Sequence, residues 1–270
     1  GRHPRAMAPR YETLLIETPE PHLLVATLNR PSAANAFNTR MMQELLDLWT
    51  GLVAAPGDVR CVVVTGAGNR AFCAGADLKE RNGMDEAAWF EQHAIIEREQ
   101  EMLLHVLVPV IAAVNGAAFA GGLELVLACD FAYAATGARF ALTETTLGLI
   151  PGAGGTQTLP RAVGERRAKE IVLTGRPFDA EQALAWGVVN RLCAPDRLMA
   201  ETLETARAIV TNAPLAVRQA KKLIQGGLQR PLDQAMRFEI ECYEKLIATA
   251  DRREGIAAFN AKRKPRFAGR

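Results

Sequence analysis

Two glutamates, Glu124 and Glu144, are the residues of this sequence whose type and spacing best indicate catalysis. Glu124 ends the stretch A-G-G-L-E, and Glu144 lies in the stretch F-A-L-T-E-T-T-L-G-L-I-P-G. Short segments whose glycines allow tight turns can bring two carboxylates together, so that one holds a water molecule while the other gives or takes a proton. The pair therefore predicts the addition of water to a substrate. Taken singly, Glu124 could be an acid in a first helical turn, and Glu144 could be a local cap.

Two loops of small residues follow predicted strands and could bind the substrate of such a reaction. One loop contains Ala74, Gly75 and Ala76, and the other contains Ala120, Gly121 and Gly122. Small residues expose backbone N–H groups, and two such groups aimed at one point can hold a carbonyl oxygen that gains negative charge. Loss of one donor of this kind costs roughly 100- to 1,000-fold in rate. Each loop alone could equally be an ordinary turn into a helix.

Other catalytic classes find little support in the sequence. The chain has one serine, Ser32, outside any G-x-S-x-G turn, and its four histidines lack the spacing of metal ligands, so we expect no metal. His105 is expected to be a packing residue. The run G-A-G-N-R-A at 66–71 has neither the helix nor the later acid of a dinucleotide fingerprint, and G-A-G-G-T-Q at 152–157 lacks the end of a phosphate loop. General acid and base work would therefore fall to carboxylates.

Composition limits the partners and the compartment of the chain. Its 270 residues are 49% hydrophobic and 23% charged, which is enough to build a large core. A net charge of +2 is too small to indicate a nucleic-acid or membrane partner. Five cysteines without a C-x-x-C pair, and the lack of a long apolar run or signal sequence, predict a reduced cytoplasmic protein. Residues 1–10 are expected to be a disordered or expression-derived end.

The elements that must position the glutamates fall into two regions. Residues 11–195 alternate short apolar runs with helical patterns and predict an α/β core, whereas residues 196–270 show helical patterns only. Near-continuous apolar runs predict strands that are covered on both faces, at residues 22–29, 61–65, 108–114 and 131–135. Helices are predicted at residues 39–55, 86–107, 198–210, 215–224, 232–248 and 252–262.

The helix predicted at 232–248 has a wide apolar stripe. Apolar residues recur at positions 232, 235, 236, 240, 243, 246 and 247. Such a stripe must be buried, either against the same chain or against another subunit. Burial in the chain's own core is the simpler expectation.

Six ordered motifs give the chain a resemblance to the crotonase (enoyl-CoA hydratase/isomerase) superfamily across residues 24–267. They are L-N-R-P, F-C-A-G-A-D-L-K, A-A-V-N-G-A-A-F-A-G-G-L-E-L, A-C-D, L-G-L-I-P-G-A-G-G-T-Q and E-G-I-A-A-F-N-A-K-R. The resemblance implies an α/β fold, a spiral of ββα repeats followed by C-terminal helices that build a homotrimer or a dimer of trimers. It also implies an acyl-CoA thioester substrate, with coenzyme A as part of that substrate and no separate cofactor.

Carried over residue by residue, the resemblance implies an oxyanion hole made by the N–H groups of Ala76 and Gly121. It implies Glu124 and Glu144 as the two carboxylates of a hydratase, with Glu144 as the donor of the proton to C2. Members that only isomerise or hydrolyse commonly keep one carboxylate or neither. The presence of both favours hydration of a 2-enoyl-CoA to a 3-hydroxyacyl-CoA.

The resemblance also implies a path for the coenzyme. Its adenine end is expected along residues 74–79, and residues of the C-terminal helix are expected to come from the same or a neighbouring subunit. The residues expected to contact coenzyme A are Ala74, Asp77, Leu78, Lys79, Phe259 and Lys262. Two positions depart from the family pattern: Ser32 replaces a common lysine, and Ala120 replaces the first glycine of a triple. We expect the serine to weaken a phosphate contact and the alanine methyl to narrow the acyl pocket.

Other functions stay open at this point. An enoyl-CoA isomerase, or a hydratase of branched or aromatic acyl chains, would use the same motifs. A basic tail that includes Lys264, Arg266 and Arg270 could hold the phosphates of RNA, but the balanced charge and the single aromatic, Phe267, argue against nucleic acid. The segment 81–97 is expected to line the acyl pocket, and its residue types indicate no particular length of acyl chain.

Overall fold

The computed structural model describes residues 11–270, so the expectation for the N-terminal ten residues lies outside the described part. Ten strands and eleven α-helices make up this part of the chain. The strands are β1 Leu14–Glu20, β2 Leu23–Leu28, β3 Cys61–Gly66, β4 Ala71–Cys73, β5 Val110–Val114, β6 Ala117–Phe119, β7 Phe131–Ala135, β8 Arg139–Ala141, β9 Phe178–Asp179 and β10 Arg191–Cys193. The helices are α1 Thr39–Ala54, α2 Leu78–Arg81, α3 Glu86–His105, α4 Gly121–Ala128, α5 Gly155–Val163, α6 Glu165–Thr174, α7 Ala180–Trp186, α8 Leu198–Val210, α9 Pro214–Gly227, α10 Leu232–Ile247 and α11 Ala250–Asn260.

The strands form two sheets, and the chain passes from one sheet to the other in the same way several times. The larger sheet has the order β1-β2-β3-β5-β7-β10, and the smaller sheet has the order β4-β6-β8-β9. Each of β3, β5 and β7 lies in the larger sheet and is followed at once by a short strand of the smaller sheet and then by a helical segment. This is the ββα repeat, and the expected α/β spiral is confirmed.

The apolar runs predicted as strands form the middle of the larger sheet. Strands β2, β3, β5 and β7 pair in parallel, and β3 and β5 are buried along their whole length. Helix α8 covers one face of this sheet through Leu198 and Ala206, which pack with Val63 and Ile111. The other face packs on the main core, which includes Trp49 and Phe72. Because both faces are covered, the strands carry the continuous apolar sequences from which they were predicted.

The three helices that precede and follow the oxyanion loop begin at a capping side chain. Asn38 accepts a hydrogen bond from the N–H of Met41 and starts α1, and Asp85 does the same for α3 through the N–H of Ala88. Asp77 caps the short helix α2. The caps fix where α1, α2 and α3 start, and these helices form much of the wall of the site described below.

The apolar stripe of α10 does not pack in the chain's own core, so the simpler expectation is wrong. Met236, Ile240 and Tyr243 are 57% to 67% exposed, and Cys242 is the residue of α10 that is buried. Helix α10 packs mainly on α9, on the outside of the molecule. An exposed apolar face of this extent is a candidate interaction surface.

Two further expectations concern isolated residues and membranes. His105 is exposed at the end of α3, where its Nδ1 lies 2.7 Å from the carbonyl oxygen of Glu101, so it is not a packing residue. Within residues 11–270, no helix combines the length and the apolar character that a membrane span requires.

Candidate active site

One cavity collects the residues that the sequence marked for chemistry. It has a volume of about 370 Å³, near the lower end of the roughly 300–1,000 Å³ found for small-molecule sites. Both predicted glutamates and both predicted N–H donors, Ala76 and Gly121, line it. Its walls come from α1, α2, α3, the start of α4 and the segment 143–153.

The two small-residue loops touch each other at the cavity. Gly75 has a φ of +93°, and a Cβ added there would lie 2.8 Å from the Cβ of Ala120 and 3.2 Å from the nitrogen of Gly121. Only a glycine therefore lets the loops approach so closely. Among the described residues, the N–H groups of Ala76 and Gly121 donate to no backbone or side-chain acceptor outside their own elements. The geometry supplies two neighbouring free donors, as an oxyanion hole requires.

Ala120 occupies a backbone conformation that normally requires glycine. Its φ is +51° and its ψ is −124°, and its N–H donates to the carbonyl of Ala141 at 2.8 Å. A conformation of this kind costs of order 1–3 kcal/mol for a residue with a Cβ. Ala120, which replaces a glycine of the family pattern, lines the cavity beside Gly121.

Glu124 is held firmly at the base of the cavity. The side chain is 3% exposed, and its Oε1 accepts hydrogen bonds from the N–H groups of Ala153 at 2.9 Å and Gly155 at 2.8 Å. A Cβ at Gly155 would lie 2.8 Å from this oxygen, so the glycine makes the contact possible. Burial raises the pKa of Glu124, while the two N–H donors oppose that rise. These donors favour the carboxylate form, which can act as a base.

Glu144 has a different environment. It opens a 3₁₀ turn at Glu144–Leu147, and its buried Oε2 has no hydrogen-bond partner among the described residues. Burial, with a smaller contribution from the charge of Glu124, raises the pKa of Glu144 to about 7. A carboxyl group that keeps its proton near neutral pH can act as a general acid. The two glutamates thus share one cavity and differ in hydrogen bonding, since two N–H donors oppose the rise in pKa at Glu124 whereas Oε2 of Glu144 has no partner among the described residues.

A third carboxyl group, Glu99, lines the same cavity and was not singled out from the sequence. It is 8% exposed on α3, and its Oε1 accepts from the indole N–H of Trp49 at 2.6 Å. Burial raises the pKa of Glu99 to about 7, and the charge of Glu124 adds to this. A single acid among the apolar positions of a helix does not by itself indicate an active-site residue. Only the fold shows that Glu99 lines the cavity.

Glu99 leads to a prediction on stability. Because its folded pKa is raised, the folded state holds the proton between about pH 4.5 and 7 while the unfolded chain releases it, so stability is lost as the pH rises through this window. Glu99→Gln removes this loss and keeps an acceptor for Trp49. Between pH 5 and pH 8, the free energy of unfolding of the variant should gain about 2 kcal/mol relative to the parent.

Urea unfolding at the two pH values measures the effect. Glu91→Gln, at an exposed position of the same helix, is the matched control. An equal gain for both variants would contradict the assignment to Glu99.

The residues expected to contact coenzyme A are only partly brought together. Ala74 and Leu78 line the cavity. The carboxylate of Asp77 accepts from the N–H groups of Lys79 and Glu80 and pairs with Arg30 at 3.0 Å, so its role here is to hold the loop. Lys79 is exposed.

Two further coenzyme candidates lie outside the cavity. Phe259 is 83% exposed, and Lys262 lies just beyond the end of α11. The structure of one chain does not bring either to the other site residues. Their contact with coenzyme A stays a prediction.

Arg30 and Asn35 support the oxyanion loop, and the sequence did not assign them this function. Arg30 donates to the carbonyl of Ala36 at 2.7 Å as well as to Asp77. Asn35 is fully buried with a φ of +52°, and its side-chain amide donates to the carbonyls of Ala67 and Ala71. These contacts connect the L-N-R-P motif to the loop with Ala76, which gives a physical reason for the motif.

Comparisons with known proteins agree with this geometry. A sequence model of the enoyl-CoA hydratase/isomerase family matches residues 20–270. The chain belongs to this family. It is 38% identical over 257 residues to the crotonyl-CoA hydratase of Syntrophomonas wolfei, which covers 95% of this chain and 98% of that protein. It is 39% identical over 246 residues to the short-chain-enoyl-CoA hydratase of Clostridium acetobutylicum, with 91% and 94% of the two chains covered.

Solved structures of family members also resemble the chain. The crystal structure of the enoyl-CoA hydratase from Bacillus anthracis superposes with a TM-score of 0.94 at 43% sequence identity, covering 96% of this chain and all of that one. The fold also explains the two glycine-containing runs that resemble nucleotide-binding motifs. The run at 66–71 is the end of β3 and the turn to β4, and 152–157 is the loop that binds Glu124.

Proposed function

We propose that the chain is an enoyl-CoA hydratase that adds water across the C2–C3 double bond of a 2-enoyl-CoA thioester to give a 3-hydroxyacyl-CoA. The observation that carries the proposal is one cavity lined both by two carboxyl groups with raised pKa and by the two residues with free backbone N–H groups. The hydratases among its relatives support the same reaction.

The thioester carbonyl oxygen accepts hydrogen bonds from the N–H groups of Ala76 and Gly121. These donors draw electron density from the double bond and make C3 electrophilic, and they stabilise the enolate that forms. Both donors belong to loops fixed by the backbone, so they need no rearrangement during the reaction.

The carboxyl groups divide the proton transfers. Glu124, which two N–H donors hold as a carboxylate, takes a proton from water as the water oxygen bonds to C3. Glu144 gives its proton to C2, and the enolate collapses to the thioester. One O–H bond of water is broken, one C–O and one C–H bond are formed, and a proton then passes between the two glutamates to restore the starting state.

The loss of the enoyl absorbance of 2-pentenoyl-CoA, with product analysis, tests the proposal. We expect the 3-hydroxy product, and a 3-enoyl thioester should be converted more slowly. Exclusive interconversion of 2-enoyl and 3-enoyl thioesters would favour the isomerase instead. A chain that hydrates neither thioester would contradict the proposal.

We also propose that the protein assembles as a homotrimer or a dimer of trimers. The exposed stripe of α10 supports this, and so does an apolar cavity of about 450 Å³ between α9, α10 and α11. Sedimentation equilibrium should give three or six times the chain mass of 29.3 kDa. A single-chain mass at micromolar concentration would contradict the assembly.

Finally, we propose a reducing, cytoplasmic location. All five cysteines of the chain are buried and unpaired, which supports a compartment that keeps thiols reduced. Fractionation of producing cells, followed by detection of the chain, tests the location.

A further inference from the structure

Arg81 places a positive charge in the wall of the active-site cavity. It is the last residue of α2, and of the residues that line the cavity it is the single lysine or arginine. Its guanidinium carbon lies 4.4 Å from the centre of the Trp89 ring. Most of the neighbouring wall is apolar, including Leu78, Phe90 and Ile96.

The guanidinium is fixed in orientation by a buried amide. Its Nε donates to Oε1 of Gln92 at 2.7 Å, and Gln92 is 4% exposed. The amide nitrogen of Gln92 donates in turn to Oγ1 of Thr39 and to Glu80. This chain of contacts uses Nε and leaves the two terminal nitrogens of Arg81 without an acceptor among the described residues. Two terminal nitrogens in one plane are the arrangement that binds a carboxylate with two parallel hydrogen bonds.

Among the described residues, no carboxylate forms an ion pair with this cation. Within the described residues, no carboxylate oxygen lies within 4.0 Å of Arg81, and the carboxylate of Glu80 is held by Thr39. Partial burial lowers the pKa of Arg81, and the nearby charge of Glu80 opposes this fall without cancelling it. The cavity acids Glu99 and Glu144 have raised pKa values, so they oppose an incoming anion less than ordinary carboxylates would.

On the basis of the proposed function, we propose that Arg81 determines specificity and binds a carboxylate at the far end of the acyl chain. The substrate class is then the 2-enoyl-CoA thioester of a dicarboxylic acid. The anion could instead come from a phosphate of coenzyme A. The acyl chain is favoured because Arg81 lines the same cavity as Glu124 and Glu144, whereas the lysine expected to meet phosphate, Lys79, is exposed.

Kinetics on two thioesters of equal length test this inference. One is glutaconyl-CoA, whose five-carbon chain ends in a carboxylate, and the other is 2-pentenoyl-CoA. The parent should prefer glutaconyl-CoA, and Arg81→Met should lower the ratio of the two kcat/KM values about 100-fold, mainly through KM. Arg81→Lys keeps the charge but loses the paired geometry, and should give an intermediate ratio. Arg98→Met, at an exposed position of α3, is the control and should leave the ratio unchanged.

A binding measurement separates this inference from the proposed function. Calorimetry with the saturated thioesters glutaryl-CoA and pentanoyl-CoA requires no turnover, and Arg81→Met should abolish the preference for glutaryl-CoA. If the preference is present but neither enoyl thioester is hydrated, the proposed reaction fails and the carboxylate site stands. A parent without the preference would overturn the inference, and so would an equal loss of affinity for both thioesters, which would place a coenzyme phosphate on Arg81.

Discussion

Glu144→Gln should lower kcat for hydration of 2-pentenoyl-CoA about 1,000-fold and leave the affinity for saturated acyl-CoA nearly unchanged. The amide has nearly the same shape as the carboxyl group but cannot give a proton to C2. Since Oε2 of Glu144 has no hydrogen-bond partner among the described residues, the substitution disturbs no contact of that oxygen. The effect should therefore fall on the chemical step.

Stopped-flow measurement of the enoyl absorbance gives kcat, and calorimetry with pentanoyl-CoA gives the affinity. Glu170→Gln, at an exposed position of α6, is the control for a change of charge. If Glu144→Gln turns over at the parent's rate, Glu144 is not the proton donor. A joint loss of turnover and affinity would instead indicate that the residue shapes the binding site.

Glu124→Gln should lower kcat by about 100- to 10,000-fold, because an amide cannot accept the proton of the attacking water. The side-chain oxygen of glutamine can still accept from the N–H groups of Ala153 and Gly155, so the loop should keep its place. The variant should also lower the pKa of Glu144, since it removes a neighbouring charge that raises it. The alkaline limb of a residual pH–rate profile would then move to lower pH.

Glu124→Leu is the informative comparison for this position. Leucine leaves the N–H groups of Ala153 and Gly155 buried without an acceptor, at a cost of about 1–3 kcal/mol for each group. Thermal unfolding should therefore show a large loss of stability for Glu124→Leu and a small one for Glu124→Gln. Equal rate losses with equal destabilisation would mean that Glu124 serves the loop rather than the reaction.

The regular elements were predicted well where a long pattern marks them. The buried strand Phe131–Ala135 and the helix Leu198–Val210 have the predicted bounds, and α1 ends one residue earlier than expected. Strands of two or three residues, such as β4 and β9, were not predicted because they are too short to show a period. Strand β1 was missed as well, since only Leu14 is buried among its residues.

The candidate site was predicted in part. The motifs identified Glu124, Glu144, Ala76 and Gly121, and the fold places all four on one cavity. The same motifs suggested Asp77 as a coenzyme contact, which stays a prediction, and the structure adds that its carboxylate pairs with Arg30, a residue 47 positions earlier in the chain. Arg81 and Glu99 could not be assigned, because their significance depends on which partners surround them.

The sequence alone determined the fold class and the family and singled out Glu124 and Glu144 as the candidate acid pair, because these depend on local periodicity and on ordered motifs along the chain. Tertiary structure decided that the two acids share a cavity, that the α10 stripe is exposed and that Arg81 lies half-buried in the cavity wall without an ion-pair partner among the described residues. The physical reason is that burial and charge partnership arise between residues distant in the chain. A side chain's type states what it can do, but its pKa and its partners are fixed only when the loops and helices meet.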